Sequence, residues 1–292
     1  MENMQMKYIE PLFRPPAEAD SLIFQAAYGC PHNTCRFCGM YKTVRYRVRD
    51  RAELMREIAD AGRKYPDTQR IFLADGDVMI FPFAELREIL IELNRHFPSL
   101  SRVNIYANGS SIIAKTPEEL RELRSLKLNT LYVGLESGDQ EILDWVNKQE
   151  KVPDMTAGVK LAQACGLKCS VMILLGLGGR QHSSSHAAKT ADALNAMQPR
   201  LLSALRFIEV PGCSMYETYR TVTEYGAVEE LREIISRLEL HKTVFRANHT
   251  SNPAPLGGRF PNDKLQLIAE LDHLLSGYTL DRKGPGRQPF FL

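Results

Sequence analysis

Apolar positions along the chain follow two alternating rhythms. Short runs that are apolar or β-branched almost throughout are each followed by a longer segment in which apolar residues return every three or four positions. The runs are LIFQAA from Leu22, RIFLA from Arg70, RVNIYA from Arg102, TLYVG from Thr130, CSVMILLG from Cys169 and LLSALRFIEV from Leu201. Their spacing of about thirty residues is that of βαβ units. The intervening segments carry helix starts. Asp50 with Glu53 reads as an N-cap and its capping-box partner. Thr116, Pro117 and Glu119 supply cap, first-turn proline and N3 carboxylate in order. In FAELREILIELNRHF, Phe83, Leu86, Ile89, Leu90 and Leu93 share one helical face and are predicted to pack on the sheet.

Strands apolar on both faces, joined by amphipathic helices, predict an α/β fold with a parallel sheet covered by helices. Six such units predict a partial (β/α)6 TIM-like barrel; periodicity alone leaves a doubly wound open sheet as the alternative. After Pro211 the pattern turns helical around Ala227 to Lys242 and Asn262 to Leu275, with FRANHTSNPAPLGGRF as a loop between. This divides the chain into a barrel over residues 1–212, with 1–20 leading in, and a C-terminal helical extension over 213–292 packed on it. The two phenylalanines that end DRKGPGRQPFFL are expected to be buried.

Composition adds bounds. The 292 residues are 44% hydrophobic and 25% charged with a net charge of +2, the balance of a globular protein without a polyanion-binding excess. The first twenty residues have no charged-then-apolar leader, and SVMILLGLGG is too short to span a bilayer, so a cytoplasmic location without membrane contact is expected. The sequons at Asn108 and Asn248 then carry no glycan.

Three of the six cysteines, Cys30, Cys35 and Cys38, fall within AAYGCPHNTCRFCGMYK, in the loop after the first strand. Loops at the carboxyl ends of parallel strands form the ligand-binding face. Structural zinc takes four ligands, commonly two close pairs, and no second pair is visible. Three thiolates suit an iron–sulfur cubane that keeps one iron open.

With these motifs, and with ADGD, GLESG, GLGG and RFIEVPG further on, the chain resembles the radical SAM superfamily, in the branch of oxygen-independent coproporphyrinogen oxidase and the methylthiotransferases. Its first cysteine gap is one residue longer than the family's usual Cys-x3-Cys-x2-Cys. The resemblance implies a [4Fe-4S] cluster on Cys30, Cys35 and Cys38, with S-adenosylmethionine (SAM) on the fourth iron. It also implies homolytic SAM cleavage to a 5′-deoxyadenosyl radical, an external electron donor such as flavodoxin or ferredoxin, and hydrogen abstraction from a substrate. The cofactor carries the radical chemistry, and the protein positions it and excludes water.

Mapped residue by residue, the resemblance sets Phe37 near the SAM adenine and gives Gly39 close approach to the cluster. Asp75, Gly76 and Asp77 stand where relatives hold the SAM amino group, with a solvated turn as the alternative. Glu136 corresponds to the ribose-binding position, with a strand-end salt bridge as the alternative. Asn108, Ser170 and Gly176 are further cofactor candidates, and Arg206 could fork onto the SAM carboxylate or face substrate. Cys165, Cys169 and Cys213 read as core residues rather than a second cluster. His182 and His186 lack a third ligand and are not assigned to a metal.

Tyr41, Arg246, Asn248, His249 and Asn252 are the substrate candidates, the last four in a polar segment that either reads a small-molecule substrate or is an exposed connector. YKTVRYRVRD reads as an alternating edge strand, with base stacking as the alternative, so nucleic acid stays open as a partner. Two other functions also stay open: an iron–sulfur electron carrier or redox sensor, and an RNA-modifying enzyme.

Overall fold

The computed structural model describes residues 8–286. Its main sheet contains β1 (Leu22–Gln25), β4 (Arg70–Ala74), β5 (Arg102–Ala107), β6 (Leu128–Glu136), β7 (Lys168–Leu175), β8 (Leu201–Arg206), β9 (Val244–Ala247) and β10 (Leu256–Arg259), hydrogen-bonded in that order. β1 to β9 pair in parallel, and β10 returns antiparallel to β9. Each strand lies beside the next one in the chain. A doubly wound sheet would reverse its order about the first strand. The arrangement is therefore the partial barrel, open between β1 and β10, where no pairing occurs among the described residues. A second, two-stranded sheet pairs β2 (Ala27–Tyr28) with β3 (Arg47–Val48).

The outer face of the main sheet packs on α1 (Arg51–Lys64), α2 (Phe83–His96), α4 (Pro117–Ser125), α6 (Val152–Ala164), α7 (Gly179–Met197), α8 (Glu224–Arg237) and α9 (Lys264–Ser276). Two short helices, α3 (Gly109–Ile113) and α5 (Gln140–Trp145), follow β5 and β6. Leu86, Leu90 and Leu93 of α2 meet Phe24, Ile71 and Leu73 in the main core. Each such side chain contributes about 1.5–3 kcal/mol of burial. The α4 capping box forms as read: Glu119 N donates to Thr116 Oγ1 (3.2 Å) and Thr116 N to Glu119 Oε2 (2.8 Å). At α1, Asp50 caps Glu53 N (2.8 Å), but the Glu53 carboxylate pairs with Arg49 instead of closing a box.

Two readings of the C-terminal part are corrected. The segment read as a loop between the last helices holds β9 and β10, which extend the sheet. The sixth predicted strand stops at Arg206, four residues short of Val210. The final phenylalanines lie outside the described residues.

The inner face has its own cluster of Ile23, Phe72, Ala74 and Tyr132, onto which Tyr8, Leu12 and Tyr106 pack. The N-terminal segment runs along it. Ile9 exchanges two hydrogen bonds with the Gln25 amide, both 2.9 Å. At the amino ends of the strands, buried Glu18 accepts from Asn104 Nδ2 (2.7 Å), Ser21 Oγ (2.6 Å) and the Tyr132 hydroxyl. Glu18→Ala strands those donors, and a buried unsatisfied group costs about 1–3 kcal/mol. A matching fall in the urea midpoint of unfolding is expected.

Candidate active site

Gly29 has φ +78°, a left-handed conformation open to glycine, and turns the chain from β2 into the cysteine loop. Cys30, Cys35 and Cys38 are free and partly buried. The loop is held on three sides. Arg36 N donates to Val146 O (2.8 Å) and Asn147 Nδ2 to Thr34 O (3.1 Å), so the turn after α5 grips both neighbours of Cys35. Lys42 Nζ donates to the carbonyls of Asn33 (2.9 Å) and Cys35 (2.8 Å). Beyond β8, Ser214 N donates to Arg36 O (2.8 Å), the Cys213 thiol to Phe37 O (3.0 Å), and Gly39 packs on Val210 and Pro211. The Phe37 ring joins a second apolar cluster with Ile142, Leu177 and Phe207.

The turn after β4 braces the same loop from below. Asp75, buried, accepts from Tyr41 Oη (3.0 Å), Gln25 Nε2 (3.0 Å) and Gly29 N (3.3 Å). Burial pushes its pKa up to about 6 against the opposing effect of these donors. Asp77 meets His32 Nε2 (3.1 Å), Asn108 Nδ2 (3.2 Å) and Ser111 Oγ (3.0 Å). Both carboxylates are thus occupied in holding the loop, and Gly76 between them lies against Cys30. A Cβ there would sit 2.6 Å from Cys30 Cα and 2.9 Å from its sulfur. Gly76→Val is expected to displace Cys30 and cut the iron bound after reconstitution severalfold, as iron and sulfide analysis would read.

Glu136 ends β6 with φ +61°, just past a register shift between Gly134 and Glu136. Such a bulge re-aims a side chain. Its Oε1 lies 3.3 Å from Nζ of Lys148, itself buried, so the strand-end salt bridge given as the alternative for Glu136 is formed. Burial would lower the Lys148 pKa, but Glu136, Cys35 and Glu150 outweigh it and hold the ammonium charged. Lys148 also draws down the Cys35 thiol, which burial otherwise raises. The pair therefore stands beside the cysteines, and the sequence reading missed its lysine. Gly176, with φ +82°, donates its N–H to buried Glu230 (2.6 Å), and its carbonyl accepts from Tyr219 Oη (3.0 Å). Ser170 is buried on the inner-face register of β7.

The remaining candidates are placed as follows. Arg206 shares its strand face with Leu202 and Ala204, which pack in the helix-covered core. Its guanidinium binds Ser251 O (2.7 Å) and Pro285 O and faces Glu224, so it points away from the cysteine loop. Tyr41 is 3% exposed and spends its hydroxyl on Asp75, which makes it a brace and turns it from substrate. Arg246 lies on β9, Asn248 is exposed, and His249 Nδ1 pairs with Ser251 Oγ (2.8 Å). Asn252 Nδ2 donates to Ala204 O (2.8 Å) and Ala247 O (3.0 Å), tying β8 to β9. Of YKTVRYRVRD, read as an alternating edge strand, only Arg47–Val48 form a strand, β3, and the rest is turn and loop; Arg47 lies over the Tyr28 ring and Arg49 is buried against Glu57. His186 is fully buried, with Nδ1 2.8 Å from Ser137 Oγ, while the His182 ring lies against Trp145 at a tilt of 56°. Cys165 and Cys169 belong to the main core.

Among the described residues no group of three or more His, Cys, Asp or Glu converges on a single metal ion. A cubane does not ask for convergence, because each thiolate takes a different iron. The three cysteines do affect one another: Cys35 and Cys38 both act on the Cys30 thiol, which burial pushes up to about 12. A protonated, sheltered thiol set fits a cluster whose assembly releases protons.

The Radical SAM superfamily matches residues 25–183, more than half the chain. The chain belongs to that superfamily. As a radical SAM enzyme it belongs to a class that uses an iron–sulfur cluster and SAM. It is 22% identical over 275 residues to the uncharacterized protein MJ1620 of Methanocaldococcus jannaschii, covering 82% of this chain and 52% of that protein. It thus spans about half the length of the curated relative it matches. Among solved structures, methylornithine synthase (PylB) aligns with a TM-score of 0.55 at 13% identity, over 86% of this chain and 68% of that one. Coproporphyrinogen III oxidase (HemN) from Escherichia coli aligns with a TM-score of 0.55 at 16% identity, over 74% and 51%. These likenesses are of fold. No helix among the described residues is long and apolar enough to cross a membrane.

Proposed function

We propose that Cys30, Cys35 and Cys38 hold a [4Fe-4S] cluster with one iron left for SAM, and that the enzyme abstracts a hydrogen atom from a small-molecule substrate inside the open barrel. When bound and reduced by an external donor such as flavodoxin or ferredoxin, the cluster supplies the electron that cleaves SAM to methionine and a 5′-deoxyadenosyl radical. The observation that carries this reading is the three-cysteine loop, braced from the turn after β4, the turn after α5 and the segment beyond β8 and lying inside the superfamily match; the Glu136–Lys148 pair adds a carboxylate and an ammonium. A carboxylate accepts hydrogen bonds from both hydroxyls of a ribose, and an ammonium pairs with the carboxylate of SAM. A plain electron carrier needs neither group. Asp75 and Asp77 serve the loop, leaving the Gly76 backbone beside Cys30. Phe37 and Gly176 line the adenine side in this reading.

The test is spectroscopic. The reconstituted, dithionite-reduced protein is expected to give an EPR signal that changes shape when SAM is added. A fully loaded cluster whose signal ignores SAM would replace this reading with electron transfer or sensing.

A further inference from the structure

The segment holding Arg246, from the sequence either a substrate-reading loop or an exposed connector, is a strand, β9, and its place in the sheet fixes where that arginine stands. Phe245 and Ala247 face the helix-covered core, so Val244 and Arg246 face inward. The register fixes the level. Gly134 on β6 pairs with Met172 on β7, Met172 with Ser203 on β8, Ser203 with Arg246, and Arg246 with Gly257 on β10. This is one continuous row across the inner face. At its β6 end, the space over Gly134 is filled by the Glu136 carboxylate, with Lys148 Nζ 3.3 Å from where a Cβ would be. Arg246 stands three strand spacings away, about 14 Å along the sheet.

Between the two ends the row presents a thioether and a hydroxyl and no charge. Arg246 itself is exposed, and among the described residues its one polar contact is the carbonyl of Phe245 at 3.2 Å, with no carboxylate in ion-pairing range. Across from it, Gly257 leaves room for the guanidinium: a Cβ there would lie 3.1 Å from Nη1. An inward guanidinium without an internal partner, level with the cofactor end of the row, is a fork open to an anion.

We propose that Arg246 anchors an anionic group of the substrate, a carboxylate or a phosphate, and holds the carbon to be attacked between β9 and the cofactor end of the barrel. The inference rests on the radical SAM reading of the site for the direction in which the substrate points.

Cluster-bearing protein labelled with 15N-arginine is titrated with succinate in one arm and inorganic phosphate in the other, following the Arg246 Nε–Hε NMR signal. That signal is identified as the one missing from Arg246→Lys. A saturable shift is expected. Succinate alone producing it marks a carboxylate substrate, phosphate alone a phosphate ester, and both an anchor for either. Gly257→Val keeps the charge but crowds the guanidinium, and is expected to weaken saturation roughly tenfold. A signal that drifts with ionic strength like those of other exposed arginines, or saturation indifferent to Gly257→Val, overturns the anchor. SAM cleavage is measured on the same preparation. Cleavage without a saturable shift removes the anchor and leaves the radical reading, whereas a saturable shift in protein that neither cleaves SAM nor changes its EPR signal with it keeps the anchor and removes the radical reading.

Discussion

Cys35→Ala is expected to empty the site of stable iron while leaving the fold in place. The Cys35 sulfur has a weak structural part: it is half-buried, and among the described residues its thiol reaches only His32 O, at 3.4 Å. The loop is held by backbone and side-chain bonds of its neighbours, through Arg36, Thr34 and Lys42, and these survive the substitution. Loss of one thiolate in three would leave the proposed cubane two protein ligands, so iron and sulfide after reconstitution should fall to a small fraction of wild type. The thermal midpoint should move little. Cys165→Ala is the matched control, since its thiol lies in the main core towards Pro117 O, apart from the loop; it should keep its iron. Equal iron in Cys35→Ala and wild type would remove Cys35 from the ligand set.

The second large effect is expected at Lys148. Lys148→Met leaves the Glu136 carboxylate buried without its ion-pair partner, and breaking a buried pair from one side costs about 3–5 kcal/mol. Lys148→Arg keeps the charge and should recover most of that. Urea unfolding reads the stability. SAM affinity, followed by equilibrium binding to the cluster-loaded protein, should fall in Lys148→Met by more than tenfold if the ammonium also meets the SAM carboxylate, a loss of about 1.4 kcal/mol or more. A stability loss with unchanged SAM affinity would make the lysine a partner of Glu136 alone.

The six long-range strands were legible because a parallel strand covered on one side by helices and on the other by barrel contents stays apolar along its length. β9 and β10 were not. VFRA is short and carries an inward arginine, and LGGR has two glycines in the middle of a strand, where they are usually disfavoured. Arg206 was misplaced because a guanidinium at a strand end was read for its charge and not for its face: parity groups it with Leu202 and Ala204 on the helix-covered side. The cysteine triad was legible because its chemistry is local in sequence. Its supports were not, since Gln25 meets Asp75, His32 meets Asp77 and Glu136 meets Lys148 across intervals that no periodicity spans. Tyr41 looked like a substrate contact because a phenol next to the cysteines has both uses, and only the 3.0 Å bond to Asp75 separates them.

The central claim is that this loop carries a cluster able to cleave SAM. The most direct measurement is 5′-deoxyadenosine and methionine formed by anaerobically reconstituted, dithionite-reduced protein given SAM, beside the Cys35→Ala variant. Both products are expected in wild type and neither above background in the variant. Products formed equally by the two proteins, or absent from a loaded wild type whose EPR signal also ignores SAM, would contradict it.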